Sequence, residues 1–145
     1  PVFERLGDIR ESTVTKGNIA DILQARGELD EARQLRNEQL VIVRQLGDAD
    51  GIAATIWNLA QMDLKQEKFQ DALPRIKEAY EIVLRIGRAE GIAAIGMVWG
   101  QFQAAAGQQD EGIATLQRSA EAFRRLGHGE AAMQAEELIQ QIREN

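Results

Sequence analysis

Apolar side chains recur along this chain at the spacing of a single helix face. Phe69, Ala72, Leu73, Ile76, Ala79, Tyr80 and Val83 follow the i, i+3, i+4, i+7 rule, and Ile52, Ile56, Leu59 and Ala60 do the same in the segment before. Single glycines follow an apolar residue between such stretches, the context of a left-handed helix terminus. The pattern predicts seven helices, near 9–26, 29–46, 49–66, 69–86, 89–106, 109–126 and 129–143, with residues 1–7 as the tail of an earlier one. Charge follows the same plan. Glu28, Asp30, Glu31, Asp110 and Glu111 stand where helices should begin, and Arg44, Arg85, Arg124 and Arg125 where they should end. Each such placement complements the helix dipole by about 0.3–1 kcal/mol. Pro74 is the one apparent breaker, and it falls near the first turn of its helix, where a missing N–H costs least, so a mild bend is expected.

A longer period organises these helices into pairs. Gly7, Gly47, Gly87 and Gly127 lie forty residues apart, each preceded by Leu6, Leu46, Ile86 or Leu126. A second series sits half a period away at Gly27 and Gly107, with Glu67 in the middle copy, and five residues after each comes Ala32, Ala72 or Gly112. Two interleaved series in one register indicate a repeat architecture. Residues 1–145 therefore read as one array: repeats 8–47, 48–87 and 88–127, followed by a C-terminal capping helix over 128–145. The opening at Pro1, without an initiator Met, leads to the expectation of a fragment from a longer bacterial array.

Composition narrows the chemistry. The chain has 145 residues, 23 acidic against 17 Lys and Arg, one His and no Cys. Without Cys there is no disulfide, thiolate catalyst or sulfur-ligated zinc. A lone His128 and two serines, Ser12 and Ser119, make a poor basis for nucleophilic catalysis, and no glycine cluster heads a Lys-Ser/Thr pair. A net charge of −6 argues against nucleic acid. No apolar run reaches membrane-spanning length and the start lacks a signal-peptide pattern, so a cytoplasmic location is expected. Gly96-x-x-x-Gly100 is read as close packing of soluble helices, since Gln101 and Gln103 interrupt the surrounding apolar stretch. Carboxylate neighbours such as Glu136 and Glu137 lack an apolar pocket to separate their protonation and read as surface charge.

The residues at the repeat positions resemble the tetratricopeptide repeat family. Asn58, Leu59 and Ala60 match the core of that family's first helix, and Ala72, Ile76 and Ala79 its small–large–small second-helix signature. The first copy gives Asn18, Ile19, Ala20 and Ala32; the third gives Trp99, Gly100, Gly112, Leu116 and Ser119. The resemblance implies an all-α fold, a right-handed α-solenoid of antiparallel helix pairs. Three departures stand out. The period is forty rather than about 34 residues, as in the longer repeats of kinesin light chain and the Pins-type spindle scaffolds. Leu23, Asp63 and Gln103 replace an aromatic near the end of the first helix. Arg36 and Gln39 stand where the later copies have Ile76 and Ala79, or Leu116 and Ser119, which points to an irregular contact or to a surface that a neighbour would cover.

The same resemblance places certain first-helix positions on a concave binding surface. Trp57 and Met97 are equivalent, with Gly17 as counterpart, and either line that groove or pack into the inter-repeat core. Asp21, Gln61, Gln101 and Gln141 form a ladder of one phase, and Asn18 and Asn58 another; they suit pairing to the backbone of a bound chain or simply a solvated stripe. Val14, Ala54, Ala94, Gly17, Trp57, Met97, Asp21, Gln61 and Gln101 include no basic residue, so an acidic chain terminus would find no counter-charge. An apolar or amphipathic peptide or helix is the expected partner. The expectation is thus a non-enzymatic protein-interaction scaffold with no catalytic residues, cofactor or metal. Its partner-binding residues are Trp57, Met97, Gln61, Gln101, Asn58 and Asp21. The alternatives are a sensor or regulatory region of a larger bacterial signalling protein, and a module that self-associates through exposed solenoid ends.

Overall fold

In the computed structural model residues 2–145 are described, with side chains from Arg5 onward, and Pro1 lies outside them. Seven helices account for nearly all of these residues: α1 (Val2–Ala25), α2 (Leu29–Leu46), α3 (Ala49–Lys65), α4 (Phe69–Ile86), α5 (Ala89–Ala105), α6 (Gln109–Arg125) and α7 (Gly129–Glu144). No strand occurs among the described residues. The turns are made as the glycine series predicts. Gly27, Gly47, Gly87, Gly107 and Gly127 all adopt positive φ, and Glu67 takes the same left-handed conformation (φ 57°) in the copy that lacks glycine. The N–H groups of Gly47 and Asp48 return to the Arg44 and Val43 carbonyls, closing the exposed end of α2. Asp48 then opens α3, its carboxylate accepting from the Gly51 N–H at 3.1 Å.

Gly7 departs from the series. It is not among the positive-φ glycines, and α1 runs unbroken through it, so residues 2–7 continue α1 instead of ending a separate helix. A glycine favours a helix end without enforcing one, and as a helix-interior residue it costs about 1 kcal/mol. Pro74 likewise lies inside a helix, as the sixth residue of α4.

The chain forms two compact units, residues 1–75 and 76–145, with the boundary inside α4. In the first, α1 packs on α2 and α2 on α3. Thr13 and Gly17 face Gln39, whereas Asp21 faces Arg36, so α1 and α2 run antiparallel. Ala20 and Ala32 are fully buried. In α3, Ile56, Leu59, Ala60 and Met62 form the core.

In the second unit α5 packs on α6 and α6 on α7. Here the small residues permit backbone contact: a Cβ on Gly112 would stand 2.7 Å from the Gly100 carbonyl oxygen and 2.9 Å from the Ala104 nitrogen. Gly91 leaves room for Val83 and Gly96 for Tyr80. Ser119, buried where Ala79 stands one period earlier, donates its hydroxyl to the Ala93 carbonyl at 2.6 Å.

A candidate partner-binding stripe

The outward stripe of each first-of-pair helix follows from which of its positions the seams consume. In α3 the seam takes Ile56, Leu59, Ala60 and Met62, each at most 1% exposed. Ala54, Trp57, Asn58 and Gln61 remain, at i, i+3, i+4 and i+7 on one face. Ala54 and Gln61 are exposed, and Trp57 and Asn58 half-buried. In α5 the equivalent set is Ala94, Met97, Val98 and Gln101, with Met97 and Val98 half-buried and the other two exposed. The exposed Gln101 donates its amide N–H to the Met97 carbonyl at 2.8 Å. A shallow recess of about 290 Å3 joins Gln101 to Leu138, Gln141 and Ile142 of α7, and Gln109 borders it by donating to the Ile142 carbonyl at 2.6 Å.

The first copy is built differently. Gly17, at the position of Trp57 and Met97, is buried under Gln39, whose amide nitrogen would meet a Cβ there at 2.9 Å. Asp21 is exposed but already engaged: Arg36, 4% exposed, reaches up between α1 and α2 and donates a guanidinium N–H to its carboxylate. Arg36 and Gln39 therefore make an irregular contact within the pair. That contact leaves Arg36 Nε and Gln39 Oε1 buried without hydrogen-bond partners, each worth about 1–3 kcal/mol of lost solvation. The basic group beside Asp21 was hidden from the list of stripe positions because it arrives from the neighbouring helix.

A second polar node lies under the stripe. Asp63, with its side chain fully buried, accepts from Arg33 of α2 and Arg75 of α4, both at 2.6 Å, and the other arm of Arg33 reaches Gln66 at 2.7 Å. The substitution of Asp63 for an aromatic is thus explained by two arginines that converge on it from flanking helices. One period on, Gln103 accepts from Thr115 at 2.6 Å in the same role, without charge. His128 is exposed and lies against Phe123, ring centroids 6.3 Å apart. No group of three or more His, Asp or Glu converges among the described residues. No helix among them is long and apolar enough to cross a membrane.

Comparison with known proteins bears on the same residues. The tetratricopeptide repeat family model matches residues 11–85. The fold is similar to that of BtubC (BKLC) from P. vanneervenii, with a TM-score of 0.58 and 18% identity over 90% of this chain. It is also similar to a kinesin light chain-like protein of Podosopora anserina with nearly identical TPR-like repeats, at a TM-score of 0.57 and 17% identity over 90% of this chain. The chain spans 63% of the BtubC chain and 74% of the P. anserina one. At these identities the likeness is one of fold, an α-solenoid of helix pairs. No curated protein matches the chain.

Proposed function

Because the chain belongs to the tetratricopeptide-repeat family, we propose that it is a non-catalytic interaction scaffold that holds a protein or peptide on the outward stripe of its first-of-pair helices. The partner is an apolar or amphipathic peptide or helix, and the contacts come, in the unit of residues 1–75, from Trp57, Asn58 and Gln61 of α3 and Asp21 of α1, and, in the unit of residues 76–145, from Met97 and Gln101 of α5. One observation carries the reading. Trp57, half-buried, keeps part of its ring at the surface of a helix whose seam is already filled by Ile56, Leu59 and Ala60, and a partly exposed tryptophan is of the residue type most enriched at binding hot spots. The flanking amides supply donors and acceptors without charge, which suits a peptide backbone better than an ionic ligand. Asp21 offers a carboxylate whose charge Arg36 already offsets, so it contributes as an acceptor and not as an ionic anchor. A chain with net charge −6 and no basic stripe residue disfavours nucleic acid, and the proposed site of action is the cytoplasm.

The test is selection of binders from a displayed library of helical and extended peptides. Trp57→Ala and Gln61→Ala should each weaken the selected peptides about tenfold, with far-ultraviolet dichroism unchanged. Binders indifferent to both substitutions would move the site elsewhere.

A further inference from the structure

One stripe of α1 lies outside the surface just described. In α3, Gly51, Thr55, Leu59 and Met62, with Gln66 just past its last turn, run along one side of the helix at spacings of four, four, three and four. Both ends of that side touch α2: a Cβ on Gly51 would meet Val43 at 3.0 Å, and Gln66 accepts from Arg33 at 2.7 Å. The α2 helix therefore lies along it, antiparallel, and Leu59 and Met62 beneath are 0% and 1% exposed. Forty residues earlier the same positions are Glu11, Thr15, Ile19 and Ile22 in α1 and Arg26 just past its end. The apolar pair is retained, yet Ile19 is 44% and Ile22 54% exposed, and no described helix lies on them.

The ends of this stripe differ from those of α3 in a directional way. Glu11 replaces a glycine that admits Val43, and Arg26 replaces the glutamine that accepts from Arg33. A helix lying antiparallel on α1 would thus meet a cation with its first turn and an anion with its last. Acid in the first turn and base in the last is the pattern of this chain's own second-of-pair helices: Asp30, Glu31 and Arg44 in α2, Asp71 and Arg85 in α4, Asp110, Glu111, Arg124 and Arg125 in α6. Inside the stripe, Leu23 stands where α3 has Asp63, so the occupant needs an apolar residue where α2 carries Arg33. That is Leu73 in α4.

The geometry points to the Glu11–Arg26 stripe as a docking site for an amphipathic helix of the α4 kind, laid antiparallel, acidic at its first turn, leucine-bearing opposite Leu23 and basic at its last turn. The opposite side of α7, the one on which a following helix would lie, is not of this type. Glu136 and Gln140 occupy the positions of Gly96 and Gly100, and Arg124 pairs with Glu136, so a second helix would bury charge there.

The probe is a fluorescent synthetic peptide of residues 69–86, titrated against the full chain beside a peptide of residues 29–46, which carries Arg33 at the leucine position. The first should bind about tenfold more tightly than the second, since the arginine would be buried against Leu23 without a partner. Ile19→Glu and Ile22→Glu, at exposed positions that leave the fold intact by dichroism, should each weaken it about tenfold or more, and Trp57→Ala should not weaken it. A 69–86 peptide with Asp71→Lys and Arg85→Glu should bind more weakly, and the difference should shrink as salt is raised. Equal binding of the two native peptides, no binding at all, or binding indifferent to Ile22→Glu would overturn the assignment. So would sedimentation showing that a second copy of the chain occupies the Ile22 face instead.

Discussion

Removal of the Asp63 carboxylate tests most directly how the first unit is held together. Two contacts of 2.6 Å converge on it, and its side chain is fully buried, whereas those of Arg33 and Arg75 are 19% and 31% exposed. A hydrogen bond to a charged group contributes about 1.5–3 kcal/mol, so the two sum to about 3–6 kcal/mol. Both guanidiniums retain some access to water and can rehydrate once released, which moves the expectation to the lower half of that range. Asp63→Ala should therefore destabilise by about 3–4 kcal/mol, in line with the loss of one partner from a buried ion pair. For a chain of this size that is a fall in Tm of about 6–16 °C. Asp63→Asn keeps one acceptor and should cost about half as much. The triple variant Asp63→Leu, Arg33→Leu, Arg75→Thr places in this node residue types found at equivalent positions, Leu23, Leu73 and Thr115, and should recover most of the loss. Urea titration followed by dichroism measures the three values. Amide exchange should show the new opening in α2, α3 and the first turns of α4, since stability in a repeat chain is local. If Asp63→Ala lies within about 1 kcal/mol of the parent, the node is solvated and the reasoning fails.

Three further outcomes follow from particular positions. Glu67→Gly should raise stability by up to about 1–2 kcal/mol, because its left-handed backbone (φ 57°) is the conformation that glycine adopts without steric cost; an unchanged melting midpoint would contradict this. Arg36→Leu, which installs the residue type of Leu116 at a position only 4% exposed, should stabilise by about 1–3 kcal/mol in chemical denaturation, while the exposed Asp21 rehydrates. Gly112→Ala should destabilise by about 1–3 kcal/mol despite the better helix propensity of alanine, because the new methyl meets backbone atoms of Gly100 and Ala104 that cannot swing away. A rise in Tm there would show that α5 and α6 can separate at little cost.

The helices were legible in the sequence because two requirements coincide: a 3.6-residue apolar rhythm and a glycine at every reversal but the one at Glu67. Even Glu67 was placed correctly by its register, against its own preference. Gly7 was misplaced for a physical reason. A glycine after an apolar residue permits a helix end but does not require one, and α1 carries Gly7 in its interior. The stripe residues were legible as a phase, since Ala54, Trp57, Asn58 and Gln61 share one side of α3 whatever surrounds it. What surrounded them was not. Asp63 reads as an oddity until Arg33 and Arg75 arrive from residues 30 before and 12 after it. Asp21 reads as a free acid until Arg36 emerges beneath it. Long-range pairing of charges has no period, so no repeat pattern announces it.

Trp57 lies in the unit of residues 1–75 and Trp99 in that of residues 76–145, both half-buried, and the sequence holds no third indole. Each half thus carries its own optical beacon. Replacing either ring by phenylalanine would leave an emission spectrum that speaks for one half alone, so that melting and ligand encounter can be watched in each without any added dye.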